Sequence, residues 1–471
     1  MSTRRTFLGG TVAIGAALAA DPTRAIASPP AEFWVAPDGD DDGPGTRKRP
    51  FRTLARAQQV VREALRTTSG DVTVRLADGT YQLDDTLRFG PEDGGSETRG
   101  VEYRAAPDAR PVVSGGRTVT GWTLHDAEKN IWRAPLDIDV RQLWVGDRRA
   151  TRARSAFLPD GFELTETGYV YRGGDLDFTG WGTLRDVEIV SFRRWRSFRI
   201  RIDAATATAD GVRLDMQNPG WALAYENHRP WGNITLPVWV ENAYELLDEP
   251  GEWYADREEG FLYYIPRADE DLRTVRTVVG RLQTMIAIEG ERGKPVRNLR
   301  LDGLTFSYGT WLGPNSGNGL AVIQAGYHRT RPSGPWDKLP ANVTMTAAED
   351  VRVENCRFEH LGASAVELEV GTKRASLVGN LFRDISANAV QVSGIEPIHH
   401  HPDDDRAVVR DNRIANNLIA DVATEYHSCV GIWVGYADGT IIEHNTLFDL
   451  PYTAISVGWG WGTTDPGGSA G

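Results

Sequence analysis

Five carboxylates fall on or near one expected strand face of this chain: Glu367, Glu369, Glu396, Glu425 and Asp438. Two carboxyl groups across an acetal bond can cleave it. A separation of about 5–5.5 Å gives retention of configuration and about 6.5–9.5 Å gives inversion. One of the pair must stay protonated, through burial or a neighbouring like charge. Glu367 and Glu369 are two residues apart, which on a strand places both on one face about 7 Å apart; a solvated sheet face fits the same spacing. Asp438 precedes Gly439, and a plain Asp-Gly turn accounts for it equally well. Asp438, Glu367 and Glu396 are the catalytic candidates. Trp433, Trp459, Trp461 and Trp311, with Gln391 and His400, are the candidates for holding a sugar ring, since indoles stack on apolar faces; packed structural aromatics are the alternative. The run Glu396, His399, His400, His401 and Asp403–Asp405 suggests metal, but consecutive residues rarely point at one ion. No metal or cofactor is assigned, and one of these histidines is expected to touch substrate.

These residues need a frame, and residues 350–462 supply one. Four segments align, starting at Cys356, Asn380, Asn417 and Asn445, and each is followed by a short apolar run: 365–368, 389–392, 431–434 and 454–457. Repetition of this kind, with β-branched runs, predicts a solenoid whose coils bury their apolar sides only against neighbours. Period-two alternation turns Val366 and Leu368 inward and Glu367 and Glu369 outward. The outward column is then Glu367, Gln391, Trp433, Ser456, and the next row is Glu369, Ser393, Gly435, Gly458. Asn380, Asn417 and Asn445 share one position, which predicts an internal amide ladder at a turn. Loops leave the strand at 371–374, 394–406 and 436–439, beside the outward face read here as a groove for a polysaccharide.

The 471 residues carry a net charge of −13, which argues against nucleic acid or an anionic membrane as partner. Ser2–Leu8 resembles a twin-arginine export motif. An apolar run to Ala20 and Ala25-Ile26-Ala27 complete a signal over residues 1–27. The mature chain is therefore expected to be a secreted monomer. Cys356 and Cys429 fall two coils apart, beyond disulfide reach, and are expected as buried thiols. Leu54, Ala57, Val60, Val61, Ala64 and Leu65 recur at helical spacing, so a helix over about 53–66 is expected to cap the first coil. Residues 28–115 form this cap and the first coils. From 116 to 278 the coil period gives way to aromatic-rich short strands, read as an inserted all-β sandwich-like module. Coils resume over 279–471, interrupted by a Gly-, Pro- and Trp-rich excursion at 309–342. Glu252 and Asp256 are open to a catalytic role by their chemistry, with structural polar groups where the insert docks as the preferred reading.

Three stretches resemble a known family. The opening Phe33-Trp34-Val35-Ala36-Pro37-Asp38-Gly39, with Pro50-Phe51-Arg52-Thr53 and Asp78-Gly79-Thr80-Tyr81, is similar to the start of right-handed parallel β-helix glycoside hydrolases. The segment from Val238 to Arg267, and the run Pro451–Gly462, resemble glycoside hydrolase family 141. That resemblance implies a right-handed parallel β-helix with an inserted module, a poly- or oligosaccharide substrate, and α-fucosidase or xylanase activity. In that family further coils with an Asp-Gly-Gly-x-Ile-Tyr-type motif follow, and none follows here, so the chain is expected to be incomplete at its C-terminus. A polysaccharide lyase and a non-catalytic carbohydrate-binding solenoid stay open as alternatives. A lyase needs an Arg or Lys base, and the outward rows hold neither.

Overall fold

Short runs with alternating apolar residues form strands, and here they wind into a parallel β-helix. The computed structural model describes residues 31–225, 233–331 and 334–458. Three parallel sheets of eight, seven and seven strands run the length of the solenoid. Each coil contributes one strand to each sheet, called here the first, second and third stack. Arg352–Glu354, Arg357–Leu361 and Ser364–Leu368 make one coil; Ser376–Val378, Leu381–Ile385 and Val390–Val392 the next. Arg413–Ala415, Leu418–Val422 and Ile432–Val434 follow, then Ile441–Glu443, Thr446–Phe448 and Ile455–Val457. The interior is one continuous apolar cluster from Val35 to Val434. Like residues stack inside it: the Phe358 and Phe382 rings lie 4.8 Å apart and 6° from parallel.

The asparagine ladder is present at the corner between the first and second stacks. Asn417 Nδ2 donates to Leu377 O and to Asn445 Oδ1, both at 2.9 Å, while its own Oδ1 accepts from Asn380 N at 2.9 Å and Asn380 Nδ2 at 3.0 Å. Cys356 and Cys429 are free and buried. The helix Leu54–Thr67 is capped by Thr53, whose hydroxyl accepts from Arg56 N, and it sets Leu54, Ala57 and Val61 into the core at the first coil.

Two elaborations leave the solenoid at the same corner, between second and third stack, one coil apart. The first separates Pro111–Ser114 from Ile286–Glu289. Its ends close on each other through the antiparallel pair Gly116–Val119 and Thr277–Gly280, and it holds two apolar cores of its own. The second separates Thr305–Ser307 from Ala341–Thr346. Its strand Leu320–Gln324 pairs antiparallel with the insert's long strand Arg196–Thr208, so the two elaborations share a sheet.

This pairing changes one expectation. Glu367, Gln391, Trp433 and Ser456 are in register across successive coils. The column is not an open groove, however, because the excursion folds back over it. Gln391 and Trp433 are wholly buried; Gln391 donates to Leu339 O at 2.9 Å, and Tyr327 meets the Trp433 indole at 5.0 Å. The hydrophobic faces of the excursion need cover, and the third stack provides it.

Candidate active site

The excursion also brings Lys338 onto the column. Its ammonium bridges Glu367 at 2.7 Å and Glu369, and His399 donates to Glu369 at 2.9 Å and to Glu396 at 2.8 Å. Glu367 and Glu396 thus belong to one closed network. Burial raises the Glu367 carboxyl even against Lys338, whereas Lys338 and His399 overcome burial and hold Glu369 well below the usual carboxylate range. Each group here is consumed by another, and Lys338 alone among them lines a cavity. Asp438 lies elsewhere, exposed in the turn from third to first stack, where Gly439 has φ +60°. His400 rests 5.2 Å from the Tyr436 ring. Trp311 faces His328 at 5.7 Å in the cavity that Lys338 lines, of about 270 Å³. Trp459, Trp461 and residues 1–27 lie outside the described residues.

A different set of acids faces open space at the corner where both elaborations leave. In the second stack Phe358, Phe382 and Ile419 point inward, and so do Leu361, Ile385 and Val422 three residues on. Strict alternation would turn the later set outward. A local irregularity restores it: the ladder skips one residue per coil, and that residue takes a positive φ. The skipped residues are His360 (59°), Asp384 (52°), Asp421 (50°) and Asp449 (53°). Aspartate tolerates this left-handed region better than most side chains. The result is a column of one histidine and three aspartates displaced from the core, one residue per coil, at a spacing of about 4.8 Å.

Asp384 is the most firmly held. Its Oδ1 takes Arg149 Nε at 2.6 Å; its Oδ2 takes Trp144 Nε1 at 2.8 Å and His360 Nδ1 at 2.7 Å. Burial alone would raise its pKa, but Arg149 and His360 outweigh that and hold it well below the normal carboxylate range. It is an ionised group with one lone pair of Oδ1 unused. Asp421, on the adjacent coil, is half-exposed and meets Arg383 at 3.1 Å. Both line a cavity of about 670 Å³ with Arg148, Arg149, Arg267 and His360.

A second cavity, of about 300 Å³, shares Arg149 and Thr424 as walls. Glu425 lies there, in the corner loop of the Asp421 coil. Burial is overcome by Arg141, Arg199 and Arg149, which hold its pKa down to about 2. Arg141 is the keystone: it grips Glu188 at 2.8 and 3.0 Å, Asn315 at 2.9 Å and Glu425 at 2.5 Å. One buried guanidinium therefore joins insert, excursion and solenoid. Glu252 accepts backbone N–H groups from Arg154, Asp248 and Glu249 within the insert, and burial raises its carboxyl to about 7.

Reasoning from the sequence missed Asp384, Asp421, Arg149 and Trp144. The signal was available in the aligned segments, whose fifth position reads His360, Asp384, Asp421, Asp449 and interrupts the alternation.

Solenoid, insert and an acid-lined corner define a carbohydrate-active β-helix protein. Residues 132–267 match the GH141 insertion domain. A solved structure described as a glycoside hydrolase is 29% identical, covers 92% of this chain and 80% of its own, and superposes with a TM-score of 0.83. The insert is thus GH141-like, and the overall frame is like that of a glycoside hydrolase. Two further solved structures are much weaker likenesses. XylC with xylose has 14% identity, covers 90% of this chain and 60% of its own, with a TM-score of 0.48. A rhamnogalacturonan lyase has 9% identity, 91% and 62% coverage, and a TM-score of 0.36. No curated protein sequence matches the chain.

Proposed function

We propose that this protein is an exported glycoside hydrolase, acting on plant or microbial polysaccharide with retention of configuration. The observation that carries this is the placement of Asp384 and Asp421. They occupy one position on adjacent coils, whose backbones are spaced at about 4.8 Å, and both line one cavity. Retaining hydrolysis needs about 5–5.5 Å between its carboxyl groups. Asp384, ionised, attacks the anomeric carbon through Oδ1, and Asp421, with the Asp384 charge on the neighbouring coil, is the carboxyl placed to protonate the departing oxygen. Asp421 then takes a proton from water, which displaces Asp384 and releases the sugar with its original configuration. Trp144, His360 and Arg149 hold Asp384 in place and stabilise its charge.

The test uses aryl α-L-fucosides, aryl β-D-xylosides and xylan with the whole chain. Asp421→Asn is expected to lower turnover on the order of 10²–10⁴-fold. Asp384→Asn should remove it, with azide failing to rescue the first step. Unimpaired turnover in either variant would refute the assignment. A polysaccharide lyase is the second reading. It is favoured by the arginines around the cavities, since elimination from a uronate needs a base and a neutralised carboxylate. An ultraviolet-absorbing unsaturated product would establish it instead. Export by the twin-arginine route rests on residues 1–27 and is checked by the mature N-terminus of the secreted protein.

A further inference from the structure

The smaller cavity holds a charge that glycoside hydrolysis does not call for. Among its walls, Arg141, Arg149, Arg152 and Arg199 each have a carboxylate within 4 Å. Arg154 is different. Among the described residues no carboxylate lies within salt-bridge distance of it, and its side chain is exposed to the cavity's solvent. Its guanidinium rests over the Trp239 ring, 4.9 Å from the centroid. That ring is itself fixed, because Trp239 Nε1 donates to Glu241 Oε2 at 2.7 Å. Glu241 is in turn consumed by Arg152 at 3.0 Å and by Arg199.

His427 closes this side of the cavity, stacked on Phe192 at 4.4 Å and edge-on to Trp239 at 6.2 Å. Burial and the nearby arginines push its pKa down to about 4, so it adds a neutral ring rather than a competing charge. Next to it the Nε of Arg152 is buried with no hydrogen-bond partner. In a chain of net charge −13, a cavity with a surplus guanidinium on a fixed aromatic support is set apart from its surroundings.

We propose that this cavity is the subsite for an anionic sugar residue, with Arg154 pairing with its carboxylate or sulfate group. A guanidinium matches either oxyanion through two parallel N–H···O bonds. Stacking on Trp239 orders the arginine before the ligand arrives, which lowers the entropic cost of pairing. The proposal deepens the reading above only in naming the glycan class; it concerns binding and is tested without turnover.

The experiment is calorimetric titration of the full chain with three probes: oligogalacturonate, the same oligomer after carboxyl reduction, and a sulfated galactose oligosaccharide. The carboxylate or the sulfated probe is expected to bind about tenfold or more tightly than the reduced one. That preference should weaken with added salt. Arg154→Gln should abolish the preference while leaving affinity for the reduced probe and the melting temperature unchanged, and Arg154→Lys should keep part of it. Equal affinity for charged and reduced probes, a preference that survives in Arg154→Gln, or no binding of either anionic probe would overturn the proposal. A charge preference that stands while the aryl glycosides and xylan are not turned over would refute the hydrolase reading and leave this one standing.

Discussion

Lys338 shows how a single side chain can settle what a surface is for. It reaches Glu367 and Glu369 from an excursion that the coil repeat does not predict, and it turns a candidate acid pair into a buried ion cluster. Breaking a buried pair leaves charge unpaired, which costs about 3–5 kcal/mol. Lys338→Met is therefore expected to lower unfolding free energy by about that amount in urea titrations. Adding Glu367→Gln and Glu369→Gln should recover much of the loss. If Lys338→Met alone is as stable as the native chain, the cluster is not structural. The positions of Glu367 and Glu369 were legible because alternation along a strand is local. Their burial was not, since it depends on where residues 320–338 fold. The reverse holds for Asp384 and Asp421, whose column stands in the aligned repeat at the fifth position of each segment but was given no role there.

Among the elements, the amide ladder is the clearest case of sequence dictating structure. One residue type recurs at one corner because each amide can donate to one coil and accept from the next. Asn417 is the inner rung and nearly fully buried. Asn417→Ala would strand Leu377 O and the Asn380 amides at about 1–3 kcal/mol each. The loss of stability should be near the upper end for single substitutions. Asn445→Ala, on a partly exposed rung, should cost clearly less. Denaturant midpoints for the two variants check this, and equal losses would contradict the ladder's inner rung being the stronger. The capping helix was also readable from its apolar spacing. The insert was recognisable as a change of period, but the sheet it shares with the excursion joins strands more than a hundred residues apart, which no local pattern encodes.

For the molecule as a whole, the ionised groups at its joints set a window of stability. His399 has a folded pKa of about 9 against an ordinary 6.5, so its contribution is full below about pH 6.5 and is lost as pH rises through about 9. Asp384 and Glu425 are depressed, so theirs is full above about pH 4.5 and is lost as pH falls. His427 and His328, held down to about 4, add a loss that begins as pH falls below about 6.5, so melting temperature is expected to be highest near pH 6.5 and to decline on both sides. In His399→Gln the alkaline decline should flatten. A profile that keeps rising to pH 9 would show that these joints do not govern stability.

The shared exit corner also bears on how the chain acquires its shape. Pro111–Ser114 and Ile286–Glu289 are consecutive strands of one turn of the solenoid, yet the whole insert lies between them in the chain. As the polypeptide emerges from the ribosome, that turn stays open until the insert has been synthesised. Its own antiparallel closure then draws the two ends together, replacing a long loop by a short one and removing most of the entropic barrier to closure. The insert's closure thus sets the loop length that this turn must bridge, and the later coils stack on the turn so formed.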